Sequence, residues 1–367
     1  PGSAIGFDPS HIALRDIRMG IDSVMYYGRD MNAVIREFSM YERSGLSVTS
    51  LTGRLFADST VIRIPSLKLL TPHSEMNFTA QTYWELINIP TTGRLTARFN
   101  ARIGKQDVLL FAGGLPEAFK EAYPFRPLVI HAGTEGNLKQ MQISRFTAEL
   151  PGAFSLNGGG EFWNLTDSVK RNGNMDFEMH TQNLNFLTGL ADIAPDGSII
   201  VPDSMHLAAR VGMEGTQCTA ALKLLEKEGV LNLDAAYNLA TEAYHADLAI
   251  NNLQVHHFLP KDSIYTLTAK MSAKGQGVDV ASRKTVAALN ASLEKLQYGH
   301  WDISGVEAHA GLKSSVATVR LASDNVLLKM QGNADMRLDR SYLDGALDLN
   351  VEEVNLHKLG LVPRPLK

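Results

Sequence analysis

Apolar and polar positions alternate through the last third of the chain. Between Val326 and Leu338 apolar side chains recur at nearly every second position, and polar residues such as Lys329 fill the others. A period of two predicts a β-strand with one apolar and one solvated face. Residues 343–351 repeat the pattern, and Asp339-Arg340-Ser341 between the two segments suits a hairpin turn.

The same pattern occurs earlier in the chain, at 231–239 and 244–250. A similar short tag follows each hairpin, at 252–259 and at 353–359. A third copy begins at 154 with its tag at 182–187, and a weaker copy begins at 76. Copy starts at 76, 154, 230 and 326 predict repeated multi-strand units over 75–367, preceded by a strand and helix segment over 1–74.

Few segments have helical periodicity. Residues 30–41 carry an apolar stripe at helical spacing, and 115–123 combine such a stripe with an early proline. Residues 219–228 and 286–296 have helix-forming composition, but their place inside the repeat favours strands. The prediction is a mainly β fold, with repeated antiparallel units forming an elongated curled sheet and a few short helices.

Such a sheet has more apolar face than these helices can cover. It can fold over as a sandwich, close into a barrel, or curl into an open groove that an apolar molecule fills from outside. Alternation alone shows that one face avoids water and leaves these three solutions open. We expect a groove, because the repeats continue to the last residues of the sequence.

Composition narrows the classes of function. Of 367 residues 44% are apolar and 20% are charged, so the chain can bury a large core. A net charge of −4 provides no basic field for nucleic acid, which we therefore do not expect as a partner. The single cysteine, Cys218, excludes an internal disulfide framework and suits a small buried side chain. The chain contains no apolar stretch of membrane-spanning length, and its ends suggest a fragment of a longer protein.

No set of residues predicts catalysis. The run Gly158-Gly159-Gly160 lacks the Lys-Ser/Thr of a phosphate loop and suits a bulge or turn. His256 and His257 are adjacent, so in a strand they would point to opposite faces and bind one metal ion poorly. We therefore expect no enzyme activity, no metal site and no cofactor.

Several segments resemble the TamB proteins of Bacteroidetes and the wider AsmA-like superfamily. The segments that carry this resemblance are 12–17, 22–30, 41–48, 51–55, 62–74, 274–279 and 296–299. The resemblance implies a segment of a periplasm-spanning β-structure whose parent protein is anchored in the inner membrane. It also implies an apolar groove that moves phospholipid towards the outer membrane, and a parent protein that works with a TamA-like outer-membrane barrel.

On this hypothesis phospholipid acyl chains lie along the apolar face. The candidate groove residues are Leu231, Leu233, Tyr237, Leu248, Ile250, Leu328, Met330, Leu347 and Leu349. Two alternatives remain open. The chain is a scaffold or chaperone for outer-membrane strands, or it is a β-solenoid enzyme acting on carbohydrate, which would need two converging carboxylates in a cleft.

Overall fold

A computed structural model describes residues 12–191, 197–279, 282–338 and 343–355. The chain divides into two compact units. The N-terminal unit contains the described residues up to 191 together with 201–204, and the C-terminal unit contains 197–200 and the described residues from 205 onward. The hairpin turn predicted at 339–341, part of the last tag and both chain ends lie outside the described residues.

Eleven strands form the N-terminal unit. They are β1 (Leu14–Tyr27), β2 (Asp30–Glu42), β3 (Ser47–Val48), β4 (Ser50–Ala57), β5 (Val61–Leu70), β6 (Glu75–Tyr83), β7 (Leu95–Ile103), β8 (Leu128–Gly136), β9 (Gln140–Leu150), β10 (Phe154–Trp163) and β11 (Asn172–Thr181). This unit also contains α1 (Trp84–Asn88), α2 (Lys105–Phe111), α3 (Glu117–Ala122) and a 3-10 segment at Asn185–Ala191.

Eleven strands also form the C-terminal unit. They are β12 (His206–Glu214), β13 (Gln217–Glu226), β14 (Gly229–Asn238), β15 (Ala243–Gln254), β16 (Ile264–Gln276), β17 (Val286–Tyr298), β18 (Trp301–Ile303), β19 (Val306–Lys313), β20 (Val316–Asp324), β21 (Leu328–Leu338) and β22 (Leu343–Val354). A 3-10 segment at Val255–His257 is its helical element among the described residues.

Each paired strand is antiparallel to its neighbour, and neighbours are close in sequence. Among the described residues no pairing joins the first and last strands of either unit, so neither sheet closes into a barrel. The predicted mainly β, antiparallel fold with few short helices is therefore confirmed, and the sheet is open. Period-two alternation then divides each sheet into an apolar face and a polar face.

The helix predicted over 30–41 is wrong, because these residues form β2. Met31, Ala33 and Ile35 lie opposite Ala57, Leu55 and Gly53 of β4. Gly28 has φ of 62°, which suits the tight turn that brings β2 back along β1. Register shifts in the β1–β2 pairing break the simple alternation and produce spacings that look helical in the sequence.

Other predictions agree with the structure. Residues 219–228 and 286–296 lie largely in β13 and in β17, so tertiary pairing overrides their helix-forming composition. The predicted helix near 115–123 is α3. The copy starts at 76, 154 and 230 fall within a residue of the starts of β6, β10 and β14, which are spaced four strands apart, whereas the copy at 326 starts two residues before β21, which is seven strands after β14.

Candidate functional site: two uncovered apolar faces

Cross-strand register aligns the apolar side chains of the C-terminal unit into rows that cross the strands. One row reads Leu222, Leu233, Leu248, Met271, Ala291, Ala308, Leu321, Gly332 and Leu349 over nine strands with β18 passed over. A parallel row reads Ala220, Ala235, Ala246, Ala273, Leu289, Ala310, Val319, Ala334 and Leu347. The second row contains mostly small residues and forms a shallow groove beside the first row, which is rich in leucine.

All nine residues predicted from the sequence lie on this apolar face. Five of them pair with one another or with a neighbouring tyrosine across β14 and β15: Leu231 with Ile250, Leu233 with Leu248, and Tyr237 with Tyr244. Leu347 and Leu349 occupy these rows on β22, and Met330 lies on the same face of β21, opposite Val351. Leu328 is in phase with Met330 along β21, so alternation places it on the same side.

Within the C-terminal unit, the described residues leave this face largely uncovered. Among the described apolar residues of the C-terminal unit, only Met205, Leu312 and Leu327 are buried. The row residues of β13 to β20 are mostly half-buried, and at the last strand Leu347 is 74% exposed. Cys218 also lies on this face, opposite Tyr237, and is half-buried rather than buried.

The N-terminal unit has a deeper apolar site, which the sequence reasoning did not single out. A hollow of about 510 Å³ opens on the apolar face between β6 and β11. Its side chains include Phe78, Ala97, Phe99, Ala132, Met141, Ile143, Phe146 and Met175. This volume lies within the usual range of small-molecule sites. The signal was present in the weak copy at 76, whose alternation contains Phe78 and Phe99.

Glycines on β10 lie in register with side chains that line this hollow. Gly158 lies in register between Phe146 and Phe177, and Gly160 lies between Ile143 and Met175. A Cβ atom at Gly160 would be 2.2 Å from the carbonyl oxygen of Asn174, so this position accepts no side chain. The predicted irregularity is present as a register shift between Gly158 and Gly160, and its extra residue lies on β9, where Phe146 and Ile143 are three positions apart.

A helical roof covers one margin of the same face. We define the roof as α2, α3 and the 3-10 segment at 185–191. Phe119, Tyr123 and Phe186 pack in a ring triangle with centroids 5.5–5.7 Å apart over Leu150, which is 1% exposed. Burial raises the pKa of the Tyr123 phenol. This cluster is the hydrophobic core of the N-terminal unit.

Two buried charged side chains fix the roof. The Lys105 ammonium donates to the carbonyl oxygens of Tyr123, at 2.7 Å, and of Glu121, at 3.1 Å. The Asp107 carboxylate accepts hydrogen bonds from the hydroxyls of Thr71 and Ser74. Because buried charges are costly unless they are bonded, these contacts hold α2 in one position against the β5–β6 turn.

The opposite margin of the hollow is a rim of hydrogen-bonded loops. The Leu138 N–H donates to the Pro90 carbonyl at 2.9 Å, and the Asn137 side chain donates to the Gly93 carbonyl at 2.8 Å. The Leu165 N–H donates to the Leu138 carbonyl at 2.8 Å. The hollow therefore has a closed apolar margin under the roof and a polar margin opposite.

The polar face of the C-terminal unit also has a hollow, of about 430 Å³ between β14 and β19. Asp234 and Asp247 lie directly opposite each other there. Both carboxylates are exposed, and His245 lies 2.8 Å from Asp247. This arrangement places two solvated carboxylates side by side in the hollow.

The adjacent histidines differ from the sequence expectation. They lie in a 3-10 segment rather than a strand, and their ring centroids are 4.2 Å apart. The His257 Nδ1 atom is 2.8 Å from the carboxylate of Glu226, which is 1% exposed. This pair anchors the 3-10 segment to the end of β13, so His257 has a structural partner that the sequence did not reveal.

Comparison with known proteins identifies no relative. No family model, no curated protein and no solved structure matches this chain. Within the residues that the structure describes, no helix has both the length and the apolar character to cross a membrane.

Proposed function

We propose that this chain is a non-catalytic segment of a TamB- or AsmA-like envelope protein whose apolar sheet faces hold phospholipid acyl chains in the periplasm. The observation that supports this most is the uncovered apolar face of each unit. Solvent-exposed apolar rows of this extent are unfavourable unless an external molecule covers them. The sequence resemblance supplies the envelope location, the membrane-anchored parent protein and the TamA-like barrel partner.

An acyl chain is the ligand that best fits these faces. The rows cross the strands without polar interruption, and the hollow of the N-terminal unit is lined by aromatic and aliphatic side chains. Burial of a methylene group contributes about 0.8 kcal/mol and has no directional requirement, so a uniform hydrocarbon can occupy any part of a row. No cofactor is required for such binding.

The two margins of the hollow suggest how a lipid is oriented. The roof closes one margin with apolar side chains, and the rim of polar loops forms the other. A head group needs water or hydrogen-bond partners, so in this proposal it lies at the loop margin while the acyl chains extend towards the roof.

Lipid loading of matched variants tests the proposal. Phe146 and Thr147 are neighbours on β9 and lie on opposite faces. We expect Phe146→Asp to abolish lipid recovered from the N-terminal hollow, since it places a charge against an acyl chain, while Thr147→Asp has little effect. Leu248→Asp and Leu349→Asp should act likewise on the C-terminal unit, with Asp247→Asn and Asp348→Asn as controls.

Native mass spectrometry of the purified full chain, followed by lipid extraction, gives the readout. Circular dichroism must show that each variant keeps its β structure. Equal lipid loading by the paired variants would contradict the proposal, and so would wild-type protein that carries no lipid after exposure to phospholipid vesicles.

A second candidate function rests on the edge strands. β1 pairs only with β2 among the described residues and exposes Tyr26 and Tyr27 by 71% and 82%. A long exposed edge can accept another strand by β-augmentation, as a scaffold for outer-membrane strands would. Displacement of bound lipid by an unfolded barrel protein favours the scaffold, whereas lipid that stays bound counts against it.

A further inference from the structure

The polar face of the N-terminal unit contains a hollow of about 320 Å³, and Arg98 of β7 is a lining residue both of this hollow and of the apolar one. The polar-face hollow lies over β5, β6 and β7, and its lining includes Arg63, Pro65, Thr79, Gln81, Thr96 and Arg98. A β-bulge opens it: Ile64 pairs with Ala80 and Leu67 pairs with Phe78, so Pro65 and Ser66 both lie opposite Thr79. Bulges of this kind bend a strand and redirect side chains at functional sites.

Register places two arginines around the centre of this hollow. Arg63 of β5 lies opposite Gln81 of β6, and Arg98 of β7 lies opposite Thr79 of β6. The arginines are therefore two strand spacings apart and offset by two residues along β6, about 12 Å at the backbone, with a hydroxyl and an amide between them. Arginine side chains are long enough to reach a small ligand from both sides at this separation.

These arginines differ from other cations of the same unit in their partners. Lys68 pairs with Glu75 at 2.8 Å, Arg36 pairs with Asp22 at 3.0 Å, and Arg94 pairs with Glu135. In the part of the chain that the structure describes, neither Arg63 nor Arg98 forms an ion pair, and no carboxylate lines the hollow.

Asp58 is the one acidic group on which Arg63 has a resolved effect in the described residues. The pKa of Asp58 is lowered first by the backbone N–H of Val61, then by Thr60, and last by the charge of Arg63. Three hydrogen bonds from Thr60 and Val61 already occupy its Oδ1 atom. Asp58 therefore does not neutralise Arg63 by direct pairing.

We propose that this hollow binds a phosphate-type oxyanion between Arg63 and Arg98. Each guanidinium presents parallel N–H donors that match two oxygens of such an anion, and Thr79, Gln81 and Thr96 add neutral donors. Phe99 and Ala97 point to the opposite face of β7, so the sheet separates this site from the apolar hollow.

Calorimetric titration of the full chain with inorganic phosphate tests the site. We expect saturable binding that weakens about tenfold or more in Arg98→Gln and Arg63→Gln, because each loses a charged bidentate contact. Arg98→Lys should retain part of the affinity, since lysine keeps the positive charge but lacks the two parallel N–H donors of the guanidinium. Arg102→Gln is the control, because Arg102 is exposed on the same face of β7 but does not line the hollow.

A second arm distinguishes a soluble phosphate from a lipid head group. Vesicles of phosphatidylglycerol are floated with each variant, with and without competing inorganic phosphate. Binding of either probe that depends on Arg63 and Arg98 supports the site, and the probe that binds identifies the source of the anion. Absence of binding to both probes overturns the proposal, as does an equal loss in Arg102→Gln, which would show a diffuse charge effect.

Discussion

The two units differ in how far they cover the apolar face of their sheet. The N-terminal unit covers part of its apolar face with the roof, buries Leu150 almost completely and leaves a hollow beside this core. The described part of the C-terminal unit has no comparable core, and its leucine and alanine rows stay half-exposed. The contrast shows that strand pairing alone can define an apolar face, while covering it requires additional elements or a ligand.

The largest expected change in the free energy of unfolding comes from a substitution in the core of the N-terminal unit. Leu150→Ala removes a fully buried side chain beneath the roof and should lower the free energy of unfolding by about 2–5 kcal/mol. Leu233→Ala, in a half-buried row of the C-terminal unit, should cost about 1 kcal/mol. Urea denaturation monitored by hydrogen exchange in each unit measures both. Equal losses of unfolding free energy would show that the two units bury their apolar side chains to the same extent.

A loss of stability at alkaline pH is expected in the roof. Because burial raises the pKa of Tyr123, its neutral form is favoured in the folded state. Its contribution to stability is present below the ordinary tyrosine pKa of about 10 and is lost as the pH rises towards the raised value. Alkaline titration should therefore open the roof before the sheet of the C-terminal unit. Tyr123→Phe should remove this pH dependence, and an unchanged profile would contradict the assignment.

The smallest change in stability is expected from a substitution on the polar face of the C-terminal unit. Asp234 and Asp247 are like charges in direct cross-strand register, which is unfavourable. Asp234→Asn should therefore stabilise the unit by about 0.5 kcal/mol at neutral pH and low salt. Asp348→Asn is the control, since Asp348 lies opposite the neutral Asn333. A destabilised Asp234→Asn variant would indicate that the carboxylate has a favourable contact that these pairings do not include.

Much of the fold follows from the sequence because period-two alternation is a direct consequence of strand geometry. It placed Leu233, Leu248 and Leu349 on one face even though they come from different strands. The same reasoning failed at 30–41, where register shifts between β1 and β2 produced spacings that look helical.

The site was less predictable than the fold. The hollow depends on the register that brings Phe78, Phe99 and Phe146 together from three strands, and the roof beside it comes from distant segments. The contact of His257 with Glu226 joins residues 31 positions apart. Neither register nor long-range packing has a local signature, so alternation indicated an apolar face without showing where that face becomes a hollow.

A photo-crosslinking scan along β15 tests the central claim most directly. A photoreactive amino acid is placed in turn at positions 247, 248, 249 and 250, and the full chain is irradiated with phospholipid vesicles. The account predicts lipid adducts at 248 and 250, on the apolar face, and few at 247 and 249. Equal adducts at all four positions, or none at any, would contradict the claim that hydrocarbon covers this face.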